Sequence, residues 1–203
     1  MDINVTNLNL GYEQCERLNT LVRNSGEKLI DELSSNISSL KAHWIGSDAT
    51  NHINNLITVY EALVALLTDA KAITADVGNK MIAIQTVRNA NGGGGSVGAE
   101  LPSEAPNSQV IERCGETAEY NVDPAAKADY QLLVEECSEF SRFVSEFRDM
   151  KDELLSNWTA GVNREQAVSN FGNFEANSDT YSKYMTDARD NLEIAISNIE
   201  KLQ

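Results

Sequence analysis

The stretch HWIGSDATNHI, residues 43–53, decides the fold. It interrupts a long helical pattern with Gly46, which stands two residues after the large aromatic Trp44. Two helices whose apolar faces pack together need a tight reversal between them, and glycine gives the backbone that freedom. The stretch therefore predicts a turn at 44–47 that joins two helices, with the Trp44 side chain covering the end of their shared core.

A second stretch of the same kind, NWTAGVNREQA, occupies residues 157–167. Its Trp158 lies 114 positions after the first tryptophan, and its glycine, Gly161, comes one position later than the first copy would place it. By the same argument we predict a second helix-joining turn at 158–163.

Apolar residues on both sides of each turn recur at alternating spacings of three and four, which is typical of one face of a helix. In the first half the stripe is Leu18, Val22, Ile30, Leu33, Ile37, Leu40 and Trp44, then Ala49, Ile53, Leu56, Tyr60, Leu63, Leu67, Ala70, Thr74, Val77, Met81 and Ile84. In the second half it is Tyr130, Leu133, Cys137, Phe140, Val144, Phe147, Leu154 and Trp158, then Ala167, Phe171, Phe174, Ser178, Tyr181, Met185, Ala188, Leu192, Ala195, Ile199 and Leu202. The pattern predicts an all-α protein with two copies of one helix-turn-helix hairpin, at 1–90 and 124–203.

Residues 91–123 separate the two copies and follow no helical period. They contain a run of four glycines, two prolines, six acidic residues and one basic residue. This composition predicts an acidic linker that is mostly flexible.

Charge and composition exclude several classes of partner. The net charge of −15 repels phosphate backbones and anionic lipid headgroups, so we expect no nucleic-acid binding and disfavour membrane binding. No apolar run approaches the roughly 18–20 residues that span a bilayer. The first ten residues do not form a cleavable secretory signal, and three cysteines without a C-x-x-C favour folding in a reducing cytosol.

Catalytic and metal-binding patterns are not found. Di-iron sites in four-helix bundles need Glu-x-x-His pairs, and neither His43 nor His52 has a glutamate three positions before it. Cys137 falls on an apolar stripe, which predicts a core residue rather than a nucleophile. The glycine run lacks the Gly-Lys-Ser/Thr end of a phosphate loop. We therefore expect no enzyme activity, no metal and no cofactor.

A helical hairpin of this size with Trp-x-Gly at its turn resembles the WXG family, the small ESAT-like substrates of type VII secretion. The first copy matches at Trp44-Ile45-Gly46. The second copy departs from the pattern, because it reads Trp158-Thr159-Ala160-Gly161. The resemblance covers both hairpins, about 170 residues in all.

The resemblance implies an antiparallel four-helix bundle, because members of that family normally work as dimers of such hairpins. Two copies in one chain would make this pseudo-dimer internally. The linker would then have to run nearly the length of the bundle, and we expect part of it, around Val110–Ile111 or Tyr120–Val122, to lie along the helices. A parallel arrangement would need a much shorter connection.

The resemblance also implies a non-enzymatic protein–protein interaction function in a type VII secretion system. The protein would be a small substrate secreted without a cleavable signal peptide, or a cytoplasmic adaptor that pairs with a larger effector. Its partners would be helical proteins of that pathway, either the secretion ATPase or a co-secreted effector. The residues predicted to carry the motif and contact the partner are Trp44, Gly46, Trp158 and Gly161.

The position of one further motif leaves alternatives open. Family members often carry an export signal, Tyr-x-x-x-Asp/Glu, after their second helix, whereas here Tyr12 with Glu16 has that spacing before the first turn. A partner could supply the signal. The alternatives outside secretion are a cytosolic helical scaffold and, less favoured, a membrane-active helical effector.

Overall fold

A computed structural model describes residues 4–5, 7–96, 98–160 and 162–200. Four long helical segments pack against each other as a bundle, as the stripes predict. The helices are α1 (Leu8–Leu21), α2 (Glu27–His43), α3 (Ser47–Ala90), α4 (Ala126–Asn157) and α5 (Val162–Glu200), and a π-helical turn at Val22–Gly26 joins α1 to α2. Four very short strands complete the described structure: β1 (Asn4–Val5), β2 (Trp44–Ile45), β3 (Asn121–Val122) and β4 (Trp158–Ala160).

The π-helical turn follows from the spacing of the apolar stripe. Val22 and Ile30 are eight positions apart, one more than the seven that alternating steps of three and four allow. A π turn accommodates one additional residue within a helix. Both side chains are therefore buried even though the stripe loses its register between them.

Contacts along the chain define two compact units. The first comprises Met1–Gly26, Leu66–Pro106 and Phe143–Ser178, and the second comprises Glu27–Ala65, Asn107–Arg142 and Asp179–Gln203. These units are groupings in space, whereas the hairpins at 1–90 and 124–203 are segments of sequence. Each unit contains parts of both hairpins and part of the linker.

The core of the first unit is rich in aromatic side chains. The ring centroids of Phe147 and Phe174 are 4.2 Å apart, and those of Phe147 and Phe171 are 6.0 Å apart. Trp158 is fully buried. Such tilted and edge-on pairs add to the free energy gained by burying the rings.

One buried polar side chain in the first unit has its hydrogen bonds satisfied. Asn19 is 3% exposed, and its Nδ2 donates to Thr74 Oγ1 at 3.0 Å and to the Pro102 carbonyl at 3.1 Å. The Thr74 hydroxyl in turn donates to the Lys71 carbonyl at 3.0 Å. Since these groups are shielded from water, their mutual bonds offset the cost of burying them.

The core of the second unit is built from the stripes around the first turn. Leu33, Ile37, Leu40 and Ile53 are all at most 1% exposed. The described stripe residues in both units are buried or half-buried, which confirms the stripe prediction. The side chains of Ile199 and Leu202 lie outside the described part of the chain.

In the first unit, the linker is hydrogen-bonded to helices rather than free. The Leu101 side chain is buried, and its backbone N–H donates to Asn79 Oδ1 of α3 at 2.9 Å. Tyr12 of α1 donates its hydroxyl to the Ala99 carbonyl at 2.7 Å. These bonds attach this part of the linker to α1 and α3, and its flexibility stays a prediction.

In the second unit, two side chains of α3 each bond to both backbone groups of one linker residue. The Tyr60 hydroxyl accepts from Gln109 N at 2.8 Å and donates to Gln109 O at 3.0 Å. Asn54 accepts from Cys114 N at 2.8 Å and donates to Cys114 O at 3.0 Å. Val110 itself is 97% exposed, so of the two segments expected to lie along the helices, only Tyr120–Val122 pairs through its backbone, by way of β3.

Candidate functional site: two tryptophan turns and an acid-lined groove

The first predicted turn is closed by a segment from the far end of the linker. β2 pairs antiparallel with β3, so that Trp44 lies opposite Val122 and Ile45 opposite Asn121. Gly46 has a φ of +152°, a conformation that other residues rarely adopt. A Cβ at this position would also lie 2.9 Å from Cδ2 of Tyr120. The backbone conformation therefore favours glycine, and any other side chain would also displace the Tyr120 ring, which explains the break that the sequence predicts.

The Trp44 side chain is buried against neighbouring residues. It is 2% exposed, its ring stacks on His52 with centroids 5.4 Å apart, and its Nε1 has no hydrogen-bond partner. Burial lowers the pKa of His52, which favours the neutral imidazole against the indole. Next to this pair, Nδ1 of His43 lies 2.8 Å from Oδ2 of Asp129, a contact that ties the end of α2 to the start of α4.

The second turn is closed in the same way by the start of the chain. β4 pairs antiparallel with β1, with Trp158 opposite Val5 and Ala160 opposite Asn4. Trp158 is 0% exposed, and its Nε1 also lacks a partner. Gly161, the remaining predicted motif residue, lies outside the described residues.

The two closing strands are the feature that the sequence analysis missed. Each is an Asn-Val dipeptide, at 4–5 and at 121–122, and each precedes the first helix of one hairpin while pairing with the tryptophan turn of the other. This reciprocal closure makes the two hairpins antiparallel. The signal was present as a dipeptide repeated after 117 positions, close to the 114 between the tryptophans, but a dipeptide alone recurs too often by chance to be used.

At the first turn the exposed aromatic side chain is that of Tyr120, whereas Trp44 is buried. Tyr120, whose ring lies against Gly46, is 63% exposed. Exposed aromatic side chains are common anchors at protein–protein interfaces. Contact of Trp44 and Trp158 with a partner stays a prediction.

A groove in the second unit, between α2 and α4, is the other candidate site. Its cavity measures about 430 Å³. Five carboxyl groups line it: Asp31, Glu32, Glu135, Glu136 and Glu139. Lys28 lies beside the groove, with Nζ 2.8 Å from Glu139 Oε1 and 3.2 Å from Glu32 Oε1.

Glu136 is the buried member of this group. It is 5% exposed, and burial, with smaller contributions from the charges of Glu32 and Glu139, raises its pKa to about 8. Contact with the Asn36 amide opposes this shift, and it is the largest contribution to the pKa after burial. At pH 7 the Glu136 carboxyl therefore carries a proton for most of the time.

Asn36 lines the same groove and is 3% exposed. Neither Oδ1 nor Nδ2 completes a hydrogen bond with good geometry, and Oε2 of Glu136 is in the same situation. A buried amide without partners costs free energy, and native proteins contain few of them. Burial of the Asn36 side chain in this groove therefore lowers the stability of the bundle.

Two of the cysteines are not reactive thiolates near neutral pH. Burial raises the pKa of the Cys15 thiol to about 12 and that of the Cys137 thiol to about 11, so both are protonated near neutral pH. Among the described residues, no three acidic, histidine or cysteine side chains gather as ligands for a metal ion. In that part of the chain, no helix combines the length and apolar character that crossing a bilayer requires.

Comparison of the chain with protein-family models, with curated proteins and with solved structures finds no match. Any function is therefore inferred from the residues and the geometry of these two features.

Proposed function

We propose that this protein is a non-enzymatic interaction protein of a type VII secretion system, related in design to WXG hairpin dimers. The observation that carries the proposal is the reciprocal closure of the two tryptophan turns, with β3 on Trp44 and β1 on Trp158. An internal antiparallel pair of hairpins is what two fused WXG proteins would form.

Internal pairing favours the role of a secreted substrate over that of an adaptor. A single WXG hairpin leaves its apolar stripe to be covered by a partner hairpin. Here the described stripe residues of both copies are already buried or half-buried within one chain, so they do not offer that face to the helices of a larger effector. A partner would instead contact exposed side chains at the turns, of which Tyr120 is the largest beside Gly46.

The test is to measure the protein in the culture medium and in the cells of the producing organism, with and without the type VII secretion ATPase. We expect loss from the medium and retention in the cells when the ATPase is absent. Equal amounts in both media would overturn the proposal. Retention in cells of both strains would point to the adaptor role, and purification of its complexes would then have to recover a type VII effector.

A matched pair of variants asks which surface is recognised. Tyr120→Ala should reduce export, because it removes the exposed ring beside the first turn. Tyr184→Ala is the control, since Tyr184 is 52% exposed on α5 and lies away from both turns in sequence. Trp44→Ala and Trp158→Ala test the buried tryptophans, with circular dichroism to separate loss of recognition from loss of fold.

A further inference from the structure

Linker residues 98–102, which we call the strap, lie in a groove between α1 and α3 of the first unit and are held there as a peptide ligand would be. We propose that this groove is a binding site for an extended segment of another protein with the pattern Gly-x-x-Leu-Pro, and that the strap occupies it as an intramolecular ligand. The pattern is that of Gly98, Leu101 and Pro102. This site is independent of the secretion function proposed above.

Asn79 of α3 binds the main chain of the strap as a neighbouring β-strand would. Its Oδ1 accepts from Leu101 N at 2.9 Å, and its Nδ2 donates to the Leu101 carbonyl at 3.5 Å. An amide side chain carries an acceptor and two donors, so it matches both main-chain groups of one residue. Main-chain hydrogen bonds of this kind supply affinity in the recognition of extended peptides, whereas pockets for side chains supply specificity.

Two side chains of α1 bond to carbonyl oxygens on either side of Leu101. The Tyr12 hydroxyl donates to Ala99 at 2.7 Å, and the amide of Asn19 donates to Pro102 at 3.1 Å. Asn19 is 3% exposed, and without the strap one of its N–H groups would have only water as a partner. The groove therefore offers buried donors that are matched by the main chain of an extended segment.

Two glycines, one in the strap and one in the groove, make the fit specific. A Cβ at Gly98 would overlap the Tyr12 ring, and a Cβ at Gly78 of α3 would overlap Cδ1 of Leu101. The absent side chain at position 78 leaves a hole that Leu101, which is 6% exposed, fills. Pro102 favours the extended conformation of the leucine before it. The groove therefore selects a glycine, a leucine three positions later and a proline after that.

The strap is attached less firmly than the helices, because Leu101 is its one buried side chain. The other strap residues are exposed or half-exposed. A cavity of about 230 Å³ lies beside the strap, lined among others by Tyr12, Met81, Ser96 and Gly98, and gives a longer ligand space to contact both helices. Segments with few buried apolar contacts open locally at low free energy. The strap can therefore leave the groove while the helices stay folded.

The tether decides which partners enter the groove. It keeps the strap at an effective concentration on the order of millimolar, so a free segment that binds no better than the strap is excluded at lower concentrations. A segment that contacts the groove more extensively displaces the strap. The strap therefore acts as a competitive gate that admits only partners with a better fit.

The experiment is a fluorescence-anisotropy titration of a labelled peptide, with the sequence of residues 96–104, with the full chain at pH 7. Leu101→Asp releases the strap, because it would bury a charge in the hole at Gly78. The peptide should bind this variant saturably and about tenfold more tightly than it binds the wild type, where the strap occupies the groove in most molecules. Amide chemical-shift changes should concentrate at 12–19 and 78–81.

Two altered peptides test the specificity of the groove. The peptide with Leu101→Asp should bind about tenfold more weakly or not at all, because it loses the buried leucine. The peptide with Glu100→Ala is the matched control and should keep the affinity, since Glu100 is exposed in the strap. In the chain, adding Gly78→Val to Leu101→Asp fills the hole and should abolish binding of the unaltered peptide.

Circular dichroism establishes that each variant is folded. If Leu101→Asp is not, Gly98→Leu releases the strap by another route, through overlap with the Tyr12 ring. A folded, released variant that binds no peptide would overturn the proposal, because the strap would then be only a part of the fold. Equal affinities for the unaltered and the Leu101→Asp peptides, or shift changes spread over the whole chain, would overturn it as well.

Discussion

Two asparagines in the first hairpin, Asn19 and Asn36, are both 3% exposed and yet have opposite surroundings. Asn19 donates to the Thr74 hydroxyl and to the Pro102 carbonyl, neither of which titrates. Asn36 has no completed hydrogen bond and lies beside the ionisable carboxyl group of Glu136. Two equally buried amides therefore differ in their effect on stability. The hydrogen bonds of Asn19 stabilise its unit, whereas the burial of Asn36 costs free energy. Residues of the second kind are candidates for function.

The largest expected effect is a dependence of the free energy of unfolding on pH, caused by Glu136 beside Asn36. The pKa of Glu136 is about 8 in the folded chain and about 4.5 when unfolded, so the folded state binds the proton more tightly. The free energy of unfolding should therefore fall as the pH rises from about 5 to about 8. The change should reach several kcal/mol, because each unit of pKa difference corresponds to about 1.4 kcal/mol.

Urea unfolding measured across this pH range tests the effect. Glu136→Gln should remove most of the slope, whereas Glu135→Gln, which changes the exposed neighbour, should keep it. An unchanged slope in Glu136→Gln would show that another group is responsible.

The next largest effect is expected for Asn19→Leu. The substitution leaves the Thr74 hydroxyl oxygen and the Pro102 carbonyl without their donor, so the free energy of unfolding should fall by about 1–3 kcal/mol. Chemical denaturation at fixed pH measures it. No loss of stability would mean that these hydrogen bonds are not formed in solution.

Asn36→Leu should act in the opposite direction. It replaces a buried amide whose contact with Glu136 does not meet hydrogen-bond geometry with an apolar group of similar size, and should raise the free energy of unfolding by about 1 kcal/mol. The same denaturation experiment applies. A loss similar to that of Asn19→Leu would erase the distinction between the two sites.

The smallest effect, about 0.5–1 kcal/mol, is expected for Thr74→Val. Thr74 is fully buried and similar in shape to valine, and Asn19 would keep its bond to Pro102. The double variant Asn19→Leu/Thr74→Val should be less destabilised than the sum of the two single variants, because both remove the same hydrogen bond. Strict additivity would contradict the pairing.

The helices could be predicted from sequence because their signal is local and repeated. Stripes with steps of three and four, broken at Gly46 and near Trp158, determine which faces are buried, and the described stripe residues are buried or half-buried. The π turn could also have been anticipated from the extra position between Val22 and Ile30. Its register shift is visible in the sequence, but the choice of a π turn over a kink is not.

The candidate sites were much less predictable, because their contacts are distant in sequence. Asn19 and Asn36 look alike in the sequence, and only the fold brings Pro102 from the linker to one and Glu136 from α4 to the other. The contacts of the linker are hidden in the sequence for the same reason. Glycine and proline favour flexibility, but Asn54 and Tyr60, on a helix already assigned to the core, provide hydrogen bonds to its backbone.

Reciprocal closure of the turns within one polypeptide makes the pairing of the hairpins insensitive to dilution. Two separate hairpins would dissociate as their concentration fell below the dissociation constant of the dimer. Here the linker, hydrogen-bonded along α3, keeps the second copy at an effective concentration set by chain geometry, on the order of millimolar for short tethers. The two hairpins therefore stay paired at any concentration of the protein.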